Sequence, residues 1–486
     1  MNKLLCSKPA RSRLWLAMAA LGVVVSVSPA FAADPARPFS PAEREAIVAA
    51  VGPDEAADAT VPSDAVLMAR LVTHARTALG LRLTPQSVDR LWAMAPPPRD
   101  VLVEIDGARD RDDLDGWIAR LEPDRAGYRA LRAARGRYQA VADQGGWIRL
   151  TPSPAVLGPG DTGPAVGALR RRLAQEGHGT TPADGAVERY GADLEVAVTA
   201  FQSFHDLEPD GRLGPRTRLA LEVPVSTRLA QIDANLERWK WLPRAAPLER
   251  IELNVARQDA VLYRGDAIVL SMRVIAGRPS SKTPMFISGL DAVVLNPSWR
   301  VPASIARGEL EPLERRAPGT LARRGFVREG GGLRQKPGPG NALGQLKFEM
   351  PSPFGVYLHD TPSRSLFERA DRLLSHGCMR LAKPKDLAVL LLGAQGWTPA
   401  RLDAAIAAGA TRRIPLQQPV PLYVLYFTVE ADEAGGVRFG ADPYGWDAKL
   451  TRALASAPAP DRLRESTTEA PGLDPDQPGV GRPAPR

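Results

Sequence analysis

The chain has 486 residues, 44% hydrophobic and 24% charged, a balance that excludes wholesale disorder and leaves room for two or three domains. Its formal net charge is +8 and its pI about 9.6, which suits an acidic polymer, an anionic lipid surface or nucleic acid. The basic residues do not gather in one block and no nucleic-acid motif is present, so no nucleic-acid partner is expected.

At the amino terminus Lys3, Lys8, Arg11 and Arg13 precede an apolar run from Leu14 to Val27, and Ala30-Phe31-Ala32 has the small-x-small form of a cleavage site. Residues 1–32 are therefore expected to be a signal peptide, with Ala33 first in the mature chain. The run is short for a bilayer span of ~20 residues, which favours export over an uncleaved anchor. The two cysteines are Cys6 and Cys378. Cleavage would leave Cys378 alone, with no intramolecular disulfide.

Residues 34–150 read as a helical scaffold. Pro41 to Val51, Ala65 to Leu79, Leu114 to Leu121 and Tyr128 to Val141 carry apolar residues at three- and four-residue spacing, with Ser40 and Pro41 as a cap and first helical position. Residues 151–223 predict three helices, the second bearing Leu194, Val198, Phe201 and Phe204 on one face. A tight turn at Asp210-Gly211 leads into the third. Residues 224–250 form a helical connector with Leu229, Ile232, Leu236 and Trp239 in register, ended by Pro243.

From Ile251 the period becomes two. Ile251–Val255 alternates, and Val261–Tyr263 and Ala267–Leu270 flank the turn Arg264-Gly265-Asp266. Further strands are expected at Ser271–Ile275, Ala292–Leu295, Gly355–Leu358 and Pro421–Glu430, which makes 251–450 a mostly β domain. Its long stretch from Pro297 to Gln345, rich in Pro, Gly and Arg, predicts a small helical subdomain placed to cap a cleft. Helices are expected at Pro384–Gly393 and from Thr398-Pro399 to near Gly409. The last residues, 457–486, predict a disordered tail.

The chemistry concentrates between His359 and Arg380. A thiol ordinarily titrates near 8.5 and needs a base to become a nucleophile at neutral pH. His359 ends a predicted strand and Cys378 follows nineteen residues later, so a returning loop can join them as a thiolate–imidazolium pair. Gly377 lets backbone amides approach a developing oxyanion, and Ser375 can bond a neighbouring group. His359, Asp360, His376 and Cys378 are all possible zinc ligands. No Cys-x-x-Cys or His-Glu-x-x-His spacing supports that reading, so neither metal nor cofactor is expected.

Ser375-His376-Gly377-Cys378-Met379-Arg380, with His359 sixteen residues before the serine, resembles the signature of the L,D-transpeptidase (YkuD-type) catalytic domain. The match extends through Gly277-Arg278-Pro279, Lys282-Thr283-Pro284, Asn296-Pro297-Ser298-Trp299, Asn341-Ala342-Leu343-Gly344 and Tyr357 to Pro362. It continues into Tyr423–Phe427 and Asp442–Asp447. Phe201-Gln202 followed by Asp210-Gly211-x-x-Gly214-x-x-Thr217 is similar to a peptidoglycan-binding module, although His205-Asp206-Leu207 stands where relatives carry His-Gly-Leu. The order of modules resembles the large YcbB-like branch. The implied architecture is multidomain α+β: helical N-terminal scaffold, three-helix peptidoglycan-binding-like module, and mostly β catalytic domain with a helical capping insertion.

The resemblance implies a nucleophilic Cys378 and a base His359, with Ser375, His376 and Gly377 supporting the site and its oxyanion hole. Arg380, Tyr357 and Trp299 carry over as substrate-binding residues. It implies 3–3 cross-linking of a tetrapeptide donor to a diaminopimelate acceptor through a thioester, a periplasmic location, peptidoglycan synthases as partners and acylation by carbapenems. Two alternatives stay open. One is a non-catalytic wall-binding protein; the other keeps the chemistry, with water or a lipoprotein lysine as acceptor.

Overall fold

The computed structural model describes residues 37–52, 62–150, 156–179, 182 and 185–457. The expected signal peptide, Cys6 and the tail beyond Ala457 lie outside the described residues. Helix Pro41–Val51 opens with a capping box, the Ser40 hydroxyl accepting from the Glu43 amide while the Glu43 carboxylate accepts from the Ser40 amide. Helices Asp64–Ala78, Val101–Asp110 and Leu114–Ala119 join it around Ile47, Leu71, Ile105 and Trp117. The Val101–Asp110 helix was not expected; Asp100 caps it through the amides of Leu102 and Val103.

This mainly helical region carries one departure. Trp92–Ala93 (β1) pairs in parallel with Met285 and Phe286 of the β domain, so the region between 34 and 150 is not a self-contained scaffold. The reason is burial: Trp92 is wholly covered, its ring 5.9 Å from that of Trp241 and 5.7 Å from that of Trp446.

The next unit has helices Pro164–Gln175, Ala192–Phe204 and Pro215–Leu221. Gln202, fully buried, explains its own motif: its side-chain amide donates to Asp210, the Arg212 carbonyl and Thr217, and its carbonyl accepts from the Gly211 amide. The departing residue Asp206 and its neighbour His205 face the β domain. His205 stacks on Phe439 at 5.5 Å, and Asp206 pairs with Arg438 at 3.4 Å. Helix Val225–Lys240 then packs along Ala126–Asp143, through Leu131, Ile232 and Leu236.

The strands that follow are β2 (Glu249–Asn254), β3 (Asp259–Arg264), β4 (Ala267–Gly277), β5 (Met285–Leu295), β6 (Trp299–Arg300), β7 (Phe326–Glu329) and β8 (Gly332–Gln335). After them come β9 (Leu346–Glu349), β10 (Leu358–His359), β11 (Leu373–Ser375), β12 (Met379–Leu381), β13 (Arg412–Leu425), β14 (Val429–Ala431) and β15 (Val437–Phe439). The main sheet runs β1-β5-β13-β2-β3-β4-β12-β10-β9, and β9 pairs back onto β5, closing a ring without free long edges. Helices Pro384–Leu392, Pro399–Ala407 and Trp446–Ser456 cover it.

Four expectations need correction. The segments Ala267–Leu270 and Ser271–Ile275 form one continuous strand, β4. The strand placed at Gly355–Leu358 is shifted to Leu358–His359, because Gly355 takes a left-handed φ of 65°. The strand placed at Pro421–Glu430 begins at Arg412, pairs with β5 through an irregularity between Pro415 and Val420, and ends at Leu425. The insertion is not purely helical. It combines short helices within 303–323 with the sheet β6-β8-β7, because Gly330 and Gly331, both at positive φ, close a hairpin between two alternating segments.

Candidate active site

Three adjacent strands build the site. β10 runs parallel to β12, with Leu358 opposite Met379 and His359 opposite Arg380. On its other side β10 is antiparallel to β9, with Leu358 opposite Phe348 and His359 opposite Lys347. Side chains alternate across a strand, so Phe348, Leu358 and Met379 enter the core, where all three are fully buried. Lys347, His359 and Arg380 therefore form one row on the opposite face, and the same period adds Tyr357 and Cys378 to that face. The Met379 amide donates to the Tyr357 carbonyl at 3.1 Å and locks the register beside the thiol.

The turn that presents Cys378 is held from within and behind. The Ser375 hydroxyl donates to the Cys378 carbonyl at 2.5 Å and accepts the Gly377 amide at 3.1 Å. Gly377 adopts φ 114°, a conformation that disfavours any side chain. The Gly377 amide is engaged by Ser375 and so is not itself free to donate to an oxyanion. The Cys378 amide has no hydrogen-bond partner among the described residues.

Behind the turn, the buried Thr283 hydroxyl donates to the Gly377 carbonyl and accepts the Gly277 amide, both at 2.9 Å. The Tyr444 hydroxyl accepts the Thr283 amide at 3.1 Å and donates to the Gly277 carbonyl at 2.5 Å. Segments far apart in sequence thus brace four residues of loop.

Burial sets the electrostatics. His359 is 4% exposed, and its Nδ1 lies 2.5 Å from the Asp360 carbonyl. Nδ1 is thereby assigned as the protonated nitrogen, leaving the Nε2 lone pair available as a base. Desolvation, followed by the nearby Arg380 charge, pushes the imidazole down to about 3. Desolvation also raises the Cys378 thiol, against the opposing pull of Tyr357 contacts and the Arg380 and Lys347 charges. Both groups are neutral at pH 7. No hydrogen bond joins the imidazole to the thiol among the described residues, so the resting site lacks the thiolate–imidazolium pair that was expected.

Arg380 stands beside the thiol with Nε buried and unpaired, and no carboxylate salts it among the described residues. A guanidinium partly removed from water with no partner is costly, and it fits a ligand anion. The Asp360 carboxylate is occupied by the Gln345 and Thr361 amides and Arg364, so it serves the local fold. Among the described residues no group of His, Cys, Asp and Glu is placed to hold a metal ion.

The remaining expected residues divide. Tyr357 joins the face and lies within hydrogen-bond reach of Cys378 and Trp299; burial raises its hydroxyl. Trp299 sits on β6 at the foot of the insertion, its ring 6.2 Å from that of Phe326. The Nε2 of His376 donates to Glu309 of the insertion at 2.6 Å, where Arg278 also lies at 3.5 Å. Sequence reasoning passed over Lys347, Glu309 and the bracing roles of Thr283 and Tyr444. The alternation Leu346-Lys347-Phe348-Glu349 was a signal for β9, and it would have placed Lys347 on an outward face.

Residues 249–400 match the family model of the L,D-transpeptidase catalytic domain, YkuD, which spans every strand of this site. Residues 249–400 are thus similar to an L,D-transpeptidase catalytic domain. Residues 162–221 match a "Putative peptidoglycan binding domain" and 32–134 a "Scaffold domain". A curated relative from Haemophilus influenzae, described as "Putative L,D-transpeptidase", is 32% identical over 224 residues, covering 42% of this chain and 45% of the relative. The chain thus matches under half of that relative's length.

Two solved L,D-transpeptidase structures are similar at lower levels. The Xylanimonas cellulosilytica protein shows 18% identity over 56% of this chain and 99% of its own, with TM-score 0.19. The Mycobacterium smegmatis protein shows 15% identity over 36% and 58%, with TM-score 0.21.

Proposed function

We propose that this protein is a peptidoglycan L,D-transpeptidase that forms 3–3 cross-links between stem peptides through a thioester on Cys378. The observation that carries the reading is one sheet face holding a thiol, an imidazole with its Nε2 lone pair free and a guanidinium unpaired among the described residues. The peptidoglycan-binding match supports wall peptide as the substrate class.

In the first half-reaction the Cys378 sulfur adds to the carbonyl of the L-centre at the donor's third residue, while His359 Nε2 takes the thiol proton. The free Cys378 amide meets the developing oxyanion, and Arg380 binds a donor carboxylate. Collapse breaks the amide bond, His359 returns the proton to the departing D-alanine amine, and a thioester remains. The side-chain amine of an acceptor diaminopimelate then attacks the thioester carbon and yields its proton through His359 to the released thiol. Starting from neutral partners removes the need to dissolve a stable ion pair before attack.

The reading places the protein in the periplasm after export, working with peptidoglycan synthases. The insertion, tied to the nucleophile turn through Glu309 and His376, is assigned to closing over the donor. Glu309→Ala is expected to raise the donor KM by roughly threefold to tenfold, since one charge-assisted hydrogen bond is lost. Acylation by a small β-lactam should change far less. Equal slowing of both would contradict a closing role.

The function itself is tested by intact mass of the mature wild type and Cys378→Ala with a disaccharide-tetrapeptide or a carbapenem. Wild type should gain one adduct, equal to donor minus D-alanine or to the carbapenem, and should release dimers; the variant should gain none. Donor turnover without dimers would indicate water or another amine as acceptor. No adduct on folded wild type would put a non-catalytic wall-binding role first.

A further inference from the structure

A cavity of about 330 Å³ is lined by Asp291, Lys347, Glu349, Met350 and Tyr357 among others, and Tyr357 also contacts Cys378. Three charged residues line it, Asp291, Lys347 and Glu349, and Arg413 joins them in one network. The Lys347 ammonium is 3.2 Å from Glu349 and 4.8 Å from the centre of the Tyr357 ring. The other Glu349 oxygen accepts from Arg413 at 2.8 Å, and Arg413 lies 3.4 Å from Asp291. Two positive and two negative groups leave this network electrically balanced. A simple anion or cation gains little from such a network, whereas a ligand with both charges on one carbon can meet a partner for each.

Lys347 is also the residue directly opposite His359 across the β9–β10 pair, on the same outward face. An ammonium is a compact charge with three donors, and Glu349 accounts for one of them. Tyr357 is shared: its ring lines the cavity, while its backbone and hydroxyl contact the nucleophile. The cavity and the nucleophile therefore share Tyr357.

We propose that this cavity is a subsite for an α-amino-acid zwitterion, with Lys347 receiving its carboxylate and Glu349 and Asp291 its ammonium group. Resting on the transpeptidase reading, the ligand is the side-chain end of a stem peptide's third residue, diaminopimelate. A lysine at that position lacks the carboxylate and leaves Lys347 without its ligand. Both donor and acceptor carry this chemistry, and the kinetic arms below distinguish them.

The first measurement is calorimetric binding of a diaminopimelate-containing tripeptide and of its lysine counterpart to the Cys378→Ala protein, which reads the subsite without catalysis. The diaminopimelate peptide should bind roughly tenfold or more tightly, the scale of one charge-assisted contact. Adding Lys347→Gln should erase that preference, and Lys347→Arg should restore part of it. In the active enzyme, the same preference is then read as a ratio of diaminopimelate to lysine peptides, once for donors in acylation and once for acceptors in thioester aminolysis. Loss of the ratio in one step upon Lys347→Gln identifies which substrate uses the cavity. Equal binding of the two tripeptides, or a preference that survives Lys347→Gln in a folded protein, overturns the subsite and leaves the four charges as a surface ion network. Absence of acylation with the binding preference intact would instead count against the transpeptidase reading alone.

Discussion

His359→Ala is expected to slow acylation of Cys378 by roughly 10²–10⁴-fold, the range for loss of a positioned general base. The protein should remain folded, because the imidazole makes one side-chain hydrogen bond, to the adjacent Asp360 carbonyl. The pH dependence supplies the sharper check. Burial holds the thiol above its ordinary value, so few thiolates exist at pH 7 and their number grows as pH rises. Alkylation of wild type by iodoacetamide, which needs thiolate but no base, should climb about tenfold per pH unit through neutrality and bend only above pH 9.

Acylation by the donor should follow a different course. His359 is depressed to about 3, so the unprotonated base is present from pH 4 upward and no acid limb should appear near 6.5. A preformed thiolate–imidazolium pair would give the opposite pattern: rapid alkylation at pH 6 to 7, level with pH until the imidazolium titrates. Mass spectrometry of the alkylated and acylated protein across pH 5–10 separates the two. A plateau below pH 7 would refute the neutral resting pair.

The second large effect is expected at a residue that touches no substrate. A Cβ on Gly277 would stand 2.2 Å from the Ser281 carbonyl oxygen and 2.7 Å from the Thr283 nitrogen, both backbone atoms with no side-chain freedom to yield. Gly277→Ala must therefore push segment 281–283 away from β4. That segment carries Thr283, whose hydroxyl holds the Gly377 carbonyl, and it receives Tyr444 from the end of the domain. Overpacking of this kind costs about 1–3 kcal/mol. A shift of the nucleophile by an ångström slows chemistry by about 10²-fold.

Both effects are checked together by thermal unfolding and carbapenem acylation of the same preparation. Gly136→Ala is the fitting control. It lies inside helix Ala126–Asp143, a Cβ there meets nothing within 4 Å, and alanine should stabilise by about 0.5–1 kcal/mol. Unchanged acylation and melting in Gly277→Ala would show that the bracing of the turn does not matter.

Local rules carried well wherever a feature depends on neighbours in sequence. Ser40 and Thr398 cap the helices that follow them, each with a proline at the first position. Phe201-Gln202 and Asp210-Gly211 predicted a turn that Gln202 stitches together. They carried poorly for short strands. Trp92–Ala93 offers no period to read, and its partner is almost two hundred residues away. The hairpin at Gly330-Gly331 was obscured by the Pro- and Arg-rich composition around it.

By itself, the amino-acid sequence determined the chemistry on offer: one cysteine beyond the N-terminal segment, a histidine nineteen residues before it, and a motif that matches L,D-transpeptidase domains. What only the tertiary structure decided is the state and surroundings of those groups. Register across β9, β10 and β12 put Lys347 and Arg380 on either side of His359. Burial made the thiol and imidazole neutral, left Arg380 Nε without a partner among the described residues and set Tyr444 behind the nucleophile turn. The physical reason is that residue type and spacing are local properties, whereas desolvation and cross-strand pairing arise from segments brought together over hundreds of residues.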